Sequence, residues 1–69
     1  MTTNLRITGM TCNNCVRHVD QALRAVPGVS TVQVSLERNT SEVVHDDSTS
    51  LASLVHAVES AGYEAAANS

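Results

Sequence analysis

The hydrophobic period of this chain switches from two residues to about 3.6 and back, and then does so a second time. Leu5 and Ile7 alternate with polar neighbours, as in a half-buried strand of about four or five residues. Gly9-Met10-Thr11-Cys12 breaks the alternation and reads as a loop. From Asn14, apolar residues recur at Val16, Val19, Leu23 and Val26, close to helical spacing. Pro27-Gly28 then stops that helix where a terminator belongs. Val29, Val32, Val34 and Leu36 follow, and strict alternation of the last three predicts a strand.

The second half repeats the scheme. Arg38-Asn39-Thr40 is read as a turn and Val43-Val44-His45 as a third, short strand. Asp46 to Ser50 is a polar loop ending in good N-cap residues. Leu51, Leu54, Val55 and Val58 fall on one face of a second helix, closed by Gly62, and a short edge strand is expected around Tyr63 to Ala66.

The order is therefore β-α-β-β-α-β. Each helix is long enough to carry the chain over one sheet face, and the short link between the middle strands suits a hairpin. A four-stranded antiparallel sheet with both helices on one face buries every apolar stripe, which makes an α+β, ferredoxin-like sandwich. At 69 residues the chain is read as a single domain, residues 1–69, with Met1 to Thr3 and Ala67 to Ser69 as frayed ends. Branched aliphatics make up about a quarter of the residues, above the disordered range. Tyr63 is the only aromatic, so the core has to be packed from Val, Leu, Ile and Ala.

Charge narrows the function. The net charge is −3, Lys is absent, and Arg6, Arg17, Arg24 and Arg38 are scattered, so no basic stripe exists for a nucleic acid. No apolar run is long enough to insert in a membrane, and the N-terminus shows no secretory signal. A cytoplasmic location is the resulting expectation. In that compartment two cysteines at short spacing point to metal binding or redox chemistry rather than a structural disulfide.

Cys12 and Cys15 sit where the first loop runs into the first helix. Cys15 falls in or near the first turn, where exposed N–H groups and the helix dipole favour an anion, so its thiol is expected to ionise easily. From Gly9 to His18 there is no carboxylate, and Arg17 adds a positive charge. Two thiolates around a monovalent cation leave one negative charge, which such a field tolerates. Two thiolates are too few for structural zinc, which takes four closed ligands. Soft ligands at low coordination number favour Cu(I), with Ag(I) and Hg(II) next; Zn(II) and Cd(II) are further ions the pair would take in vitro.

The run Gly9-Met10-Thr11-Cys12-Asn13-Asn14-Cys15, between a strand and a helix, resembles the signature Gly-Met-x-Cys-x-x-Cys of the heavy-metal-associated domain family. Val26-Pro27-Gly28-Val29 and Ala61-Gly62-Tyr63 extend the resemblance over essentially the whole chain. Within the family it looks most like the bacterial CopZ-type cytosolic copper chaperones. The resemblance implies Cu(I) held by Cys12 and Cys15 and handed to a copper-transporting P-type ATPase. It also implies that Met10 packs under the loop without binding metal and that Tyr63 lies near the site. The chain departs from the family pattern at His45, on an inward strand position, and at His18, one turn after Cys15.

The remaining residues are weighed against ordinary structural roles. Met10 is read as core filler rather than a thioether ligand. His18 is a surface or neighbouring group, unless it serves as a third ligand, while Tyr63 both packs on the loop and shields the site from water. His45 and His56 carry no assigned role, and the acidic residues read as ordinary solvated groups with no catalytic pair. The expected function is thus a non-enzymatic Cu(I) carrier, monomeric without metal and able to form a copper-bridged dimer. The Met1 start and missing trailing linker favour a free-standing chain over a metal-binding module of a longer transporter. A mercury-type carrier or a thiol oxidoreductase would also use a cysteine pair of this spacing. Against the oxidoreductase, Thr11 precedes the pair and two Asn lie inside it, where thioredoxin-like motifs carry an aromatic and Gly-Pro.

Overall fold

A computed structural model describes residues 1–68. The elements run β1 (Thr2–Thr8), α1 (Asn13–Arg24), β2 (Val29–Ser35), β3 (Thr40–His45), α2 (Leu51–Ser60) and β4 (Glu64–Ala67). The four strands form one antiparallel sheet in the order β2-β3-β1-β4. Placing β1 and β3 in the middle lets each βαβ half cross over its own helix, so both helices cover the same face. This is the βαββαβ ferredoxin-like sandwich that the alternating periods imply.

The core is drawn from the stripes read from the sequence, with Val16, Val26, Val29, Val34, Leu36 and Val55 only partly buried around it and Val26 and Leu36 lying just beyond the ends of α1 and β2. Leu5 and Ile7 of β1, Val32 of β2 and Val43 of β3 lie buried against Val19 and Leu23 of α1 and Leu54 and Val58 of α2. Each of these aliphatic side chains contributes about 1.5–3 kcal/mol on burial, so stability is spread over many small groups rather than concentrated in one aromatic. Strand β2 alternates cleanly only from Val32 onward because a register shift lies between Val29 and Thr31.

Several expectations need correction. Thr2 and Thr3 are not frayed: both are in β1, and the strand is tied to β3 by Met1 O accepting from His45 N–H at 2.8 Å. At the other end Ala67 pairs with Leu5, and Asn68 N–H donates to Asn4 O at 2.9 Å; Ser69 lies outside the described residues. These ends are ordered because their backbone groups complete the two ladders that β1 makes, with β3 and with β4. Thr40 belongs to β3 rather than to the turn, and the turn's unusual residue is Asn39, at φ 55°. Leu51 starts α2 at 42 % exposure, off the buried face, since the helix packs only from its second turn.

Asp46 is also more than a solvated acid. Its Oδ1 accepts from Ser48 N, Ser48 Oγ and Thr49 Oγ1, which ties the loop ahead of α2. The Ser48 hydroxyl and amide, with those of Thr49, hold this carboxyl below its ordinary range against the opposing effect of burial. Gly28, at φ 91°, fits only without a Cβ, which would collide with Thr49 Oγ1 and the Asp46 carboxylate.

Candidate metal centre

The loop between β1 and α1 is built so that two sulfurs stand at a helix start. Gly9 reverses the chain at φ 102°, a conformation that side chains disfavour, and a Cβ there would lie 3.5 Å from the Tyr63 ring. Met10 then turns inward to 6 % exposure and pins the loop to the core. Cys12 is the N-cap of α1 in extended conformation, and its carbonyl accepts from Cys15 N and Val16 N at 3.1 and 3.3 Å. Its side chain makes no capping hydrogen bond, which leaves the sulfur turned outward and exposed.

Cys15 is the third helical residue and is half-buried. Its Sγ lies 3.7 Å from that of Cys12. No acidic residue occupies the first turn of α1, so the positive end of the helix faces the sulfurs without competition.

The Cys15 thiol is brought from its ordinary 9.0 down to about 6. The main cause is the Thr11 backbone N–H, followed by the Tyr63 hydroxyl; partial burial opposes them, and Cys12 and the Thr11 hydroxyl add smaller contributions. Thr11 Oγ1 is 3.9 Å from Cys15 Sγ. Tyr63 responds in the opposite sense, its phenol pushed upward by the bond to Cys15, by burial and by the negative charge on both sulfurs. At neutral pH Cys15 is therefore chiefly a thiolate, and the pair is poised for soft-metal or thiol chemistry.

The structure brings Met10, Tyr63 and His18 close to this loop in different ways. Met10 sits beneath it in the core cluster and Tyr63 packs on that cluster's edge. His18 is exposed on α1 and its Nδ1 lies 3.4 Å from the Tyr63 hydroxyl. His45 is at the opposite end of the sheet, beside the start of β1, with Nε2 2.6 Å from Thr3 Oγ1 and Nδ1 2.8 Å from Asp46 O. His56 is exposed on α2, 3.5 Å from Ser60 Oγ. Among the described residues no group of three or more His, Cys, Asp and Glu is placed to hold a metal ion, so the cysteine pair stands alone.

Two features here lie beyond sequence reading. The Thr11 contribution comes from a backbone N–H, which carries no residue signature. The Tyr63–His18 contact joins residues 45 positions apart, and neither periodicity nor motif spacing signals it.

A sandwich with both helices on one sheet face and an exposed Cys-x-x-Cys at a helix start defines the class of small dithiol domains. The chain belongs to the heavy-metal-associated domain family, whose model matches residues 4–64. It is 43 % identical over 63 residues to copper-transporting ATPase 2 of Rhizobium meliloti (strain 1021), covering 91 % of this chain and 8 % of that protein. It is also 43 % identical over 63 residues to the mercuric reductase of Serratia marcescens, covering 91 % of this chain and 14 % of the reductase. The chain thus spans a small fraction of the length of these curated relatives. Its fold superposes on the structure of a CopZ metallochaperone with a TM-score of 0.91 at 31 % identity, over 96 % of this chain and all of that one. Among the described residues no helix is long and apolar enough to cross a membrane.

Proposed function

We propose that this chain is a one-domain cytoplasmic carrier that holds a single Cu(I) between Cys12 and Cys15. It passes the ion by ligand exchange to a copper-transporting P-type ATPase. The observation that carries this reading is the 3.7 Å separation of two sulfurs at an exposed helix start. At a metal–sulfur bond of about 2.3 Å, linear coordination needs roughly 4.6 Å between sulfurs, so the pair must open by roughly 1 Å. Cys12, exposed and free of capping bonds, can supply that by side-chain rotation.

Transfer follows from the low coordination number. An incoming thiolate adds to the copper between Cys12 and Cys15, giving a three-coordinate ion. One bond to this chain then breaks, and a second exchange completes the handover. Copper changes neither oxidation state nor exposure to bulk water, so binding is tight while exchange stays fast. The carrier itself performs no catalytic step. It is a monomer without metal, and a copper-bridged dimer forms at high loading through the same open coordination.

The identity to a copper-transporting ATPase and the likeness to a metallochaperone support copper as cargo. The equal identity to a mercuric reductase supports a second reading, a Hg(II) carrier, because the same low-coordinate dithiolate suits that ion. A competition titration separates them. Wild type is expected to retain Cu(I) against a strong chelator, and Cys15→Ser to lose it. Unchanged Cu(I) affinity in Cys15→Ser would refute the two-thiolate site. A wild type that yields Cu(I) to the chelator yet retains Hg(II) would shift the reading to mercury.

A further inference from the structure

Two strands end the sheet, and only one of them is long and uncharged. β4 has four residues and carries Glu64, two features that discourage a further strand from pairing. β2 has seven, Val-Ser-Thr-Val-Gln-Val-Ser, without a charge or a proline. Its bulge lies at the start, between Val29 and Thr31, and leaves Thr31 to Ser35 in regular register.

The free backbone groups of that edge follow from the ladder. Met1 and His45 exchange two bonds, of 2.7 and 2.8 Å, so His45 turns its backbone groups towards β1. Bonded pairs alternate along antiparallel strands, so Val44, Glu42 and Thr40 turn theirs to Thr31, Gln33 and Ser35. The N–H and C=O groups of Val32 and Val34 therefore point away from the sheet. One of them is covered: Val32 O accepts from Arg24 Nη2 at 3.1 Å. Asp20 holds the guanidinium there, its Oδ2 accepting from Arg24 Nε at 2.9 Å.

We propose that the outer edge of β2 is a docking strip for the same strand of a second copy of this chain, and that Arg24 keeps it closed. In an antiparallel pairing centred on Gln33, Val32 of each copy lies opposite Val34 of the other. Four hydrogen bonds then use every free group of both strands, and the aliphatic side chains form cross-strand pairs on the helix side. Neighbouring registers fit less well. Centring on Val34 sets Val32 against Leu36, whose carbonyl already serves Asn39 N–H. Centring on Val32 sets Val34 against Ser30, inside the bulge.

At about one hydrogen bond per 100–200 Å², four bonds mark roughly 400–800 Å² of interface, against about 1,200 Å² for a stable complex. The pairing is therefore weak, and one covered carbonyl on each copy holds the chain as a monomer. A docked strand would need Val32 O for its own Val34 N–H, in the space the guanidinium fills. This dimer differs from a copper-bridged one and does not rest on the carrier reading. β1 and β2 run the same way, so the cysteine loop lies at the Ser35 end of β2. Antiparallel pairing sends the two loops to opposite ends and leaves both open.

Sedimentation and amide spectra of the metal-free, reduced protein over a concentration series test the strip. Wild type is expected to stay a monomer through the submillimolar range. Arg24→Ala frees one carbonyl on each copy and should tighten self-association at least about tenfold, the effect of two hydrogen bonds. The Arg24 side chain is 52 % exposed and alanine suits a helix, so the variant keeps its fold, which the same spectra verify. Its concentration-dependent amide shifts should centre on Val32 and Val34. Adding Gln33→Lys sets like charges opposite each other at the centre of the pairing and should return Arg24→Ala to the monomer. That change spares the fold, since residue 33 is exposed and lies across from Glu42. An Arg24→Ala chain less than tenfold tighter than wild type, or a dimer that survives Gln33→Lys, would overturn the proposal. So would shifts centred on β4, or protected Val32 and Val34 amides in a chain that sediments as a monomer, which would give the strip another occupant.

Discussion

Cys12 and Cys15 face each other across 3.7 Å, yet they occupy different environments. Cys12 is an exposed N-cap whose side chain bonds to no helix amide, whereas Cys15 is half-buried and surrounded by the Thr11 amide, the Thr11 hydroxyl and the Tyr63 hydroxyl. The pair combines one anchored sulfur with one free to swing. That asymmetry suits a ligand set that must both hold an ion and let a partner reach it.

The anchored thiol makes stability depend on pH. Its folded pKa, about 6, is below its ordinary 9.0, so the thiolate favours the folded state. That contribution is complete above the unfolded value and is lost as pH falls through the folded one. The melting temperature of the metal-free protein should therefore fall between about pH 9 and pH 6 more steeply in wild type than in Cys15→Ser. Parallel melting curves for the two proteins would remove the basis for a low Cys15 pKa. Alkylation of Cys15 in a Cys12→Ser background should reach half its maximal rate near pH 6, apart from the donor effect of the missing Cys12.

The N-terminal strand carries a second testable arrangement. His45 is 6 % exposed, and its Nδ1 faces the Asp46 carbonyl, so that nitrogen is the donor. In the neutral imidazole Nε2 is then an acceptor, and the Thr3 hydroxyl at 2.6 Å donates to it. Thr3→Val keeps the shape and the β preference but strands a buried acceptor, which should cost about 1–2 kcal/mol in urea denaturation. A change below about 0.3 kcal/mol would mean that water replaces the hydroxyl and that the start of β1 opens easily.

How much of this was legible in the sequence follows from how local each feature is. Leu5 and Ile7, Val19 and Leu23, and Leu54 and Val58 announce their elements by spacing alone, and the six elements follow in order. The cysteine pair is equally local, three positions apart at a strand-to-helix junction. What escaped depends on partners distant in sequence. Thr2, Thr3 and Ala67 look like tails until β3 and β1 supply their ladder partners. Leu51 has the right helical phase for burial, but it lies in the first turn of α2, beyond the reach of the sheet. Asp46 looks like one of several surface acids until Ser48 and Thr49 fold back on it.

Ser41 marks a place where the core is not at its stability optimum. It lies on the buried face of β3, cross-strand from Leu5 and Val34, at 2 % exposure, and its Oγ has no hydrogen-bond partner. A buried hydroxyl without a partner costs about 1–3 kcal/mol. Ser41→Ala removes the oxygen and leaves the backbone ladder intact, so it should stabilise the fold by about 1 kcal/mol. Equilibrium unfolding at unchanged m-value is the measurement. A loss of stability would show that the hydroxyl is satisfied in solution.

Met10 separates packing from ligation, because its thioether is the one other sulfur beside the cysteine loop. At 6 % exposure it joins the cluster of Leu5, Ile7 and Val19 rather than the solvent-facing side where Cys12 stands. Met10→Leu conserves volume and should cost less than about 1.5 kcal/mol, whereas Met10→Ala should cost about 2–5 kcal/mol by leaving a cavity under the loop. Neither substitution should change the number of sulfurs seen by X-ray absorption on the Cu(I) protein, which stays at the two thiolates. The Ala variant should also release copper faster, because the loop that sets the sulfur spacing loses its inward anchor. One sulfur fewer in Met10→Leu than in wild type would instead make the thioether a ligand, and would require Met10 to leave the core when copper binds.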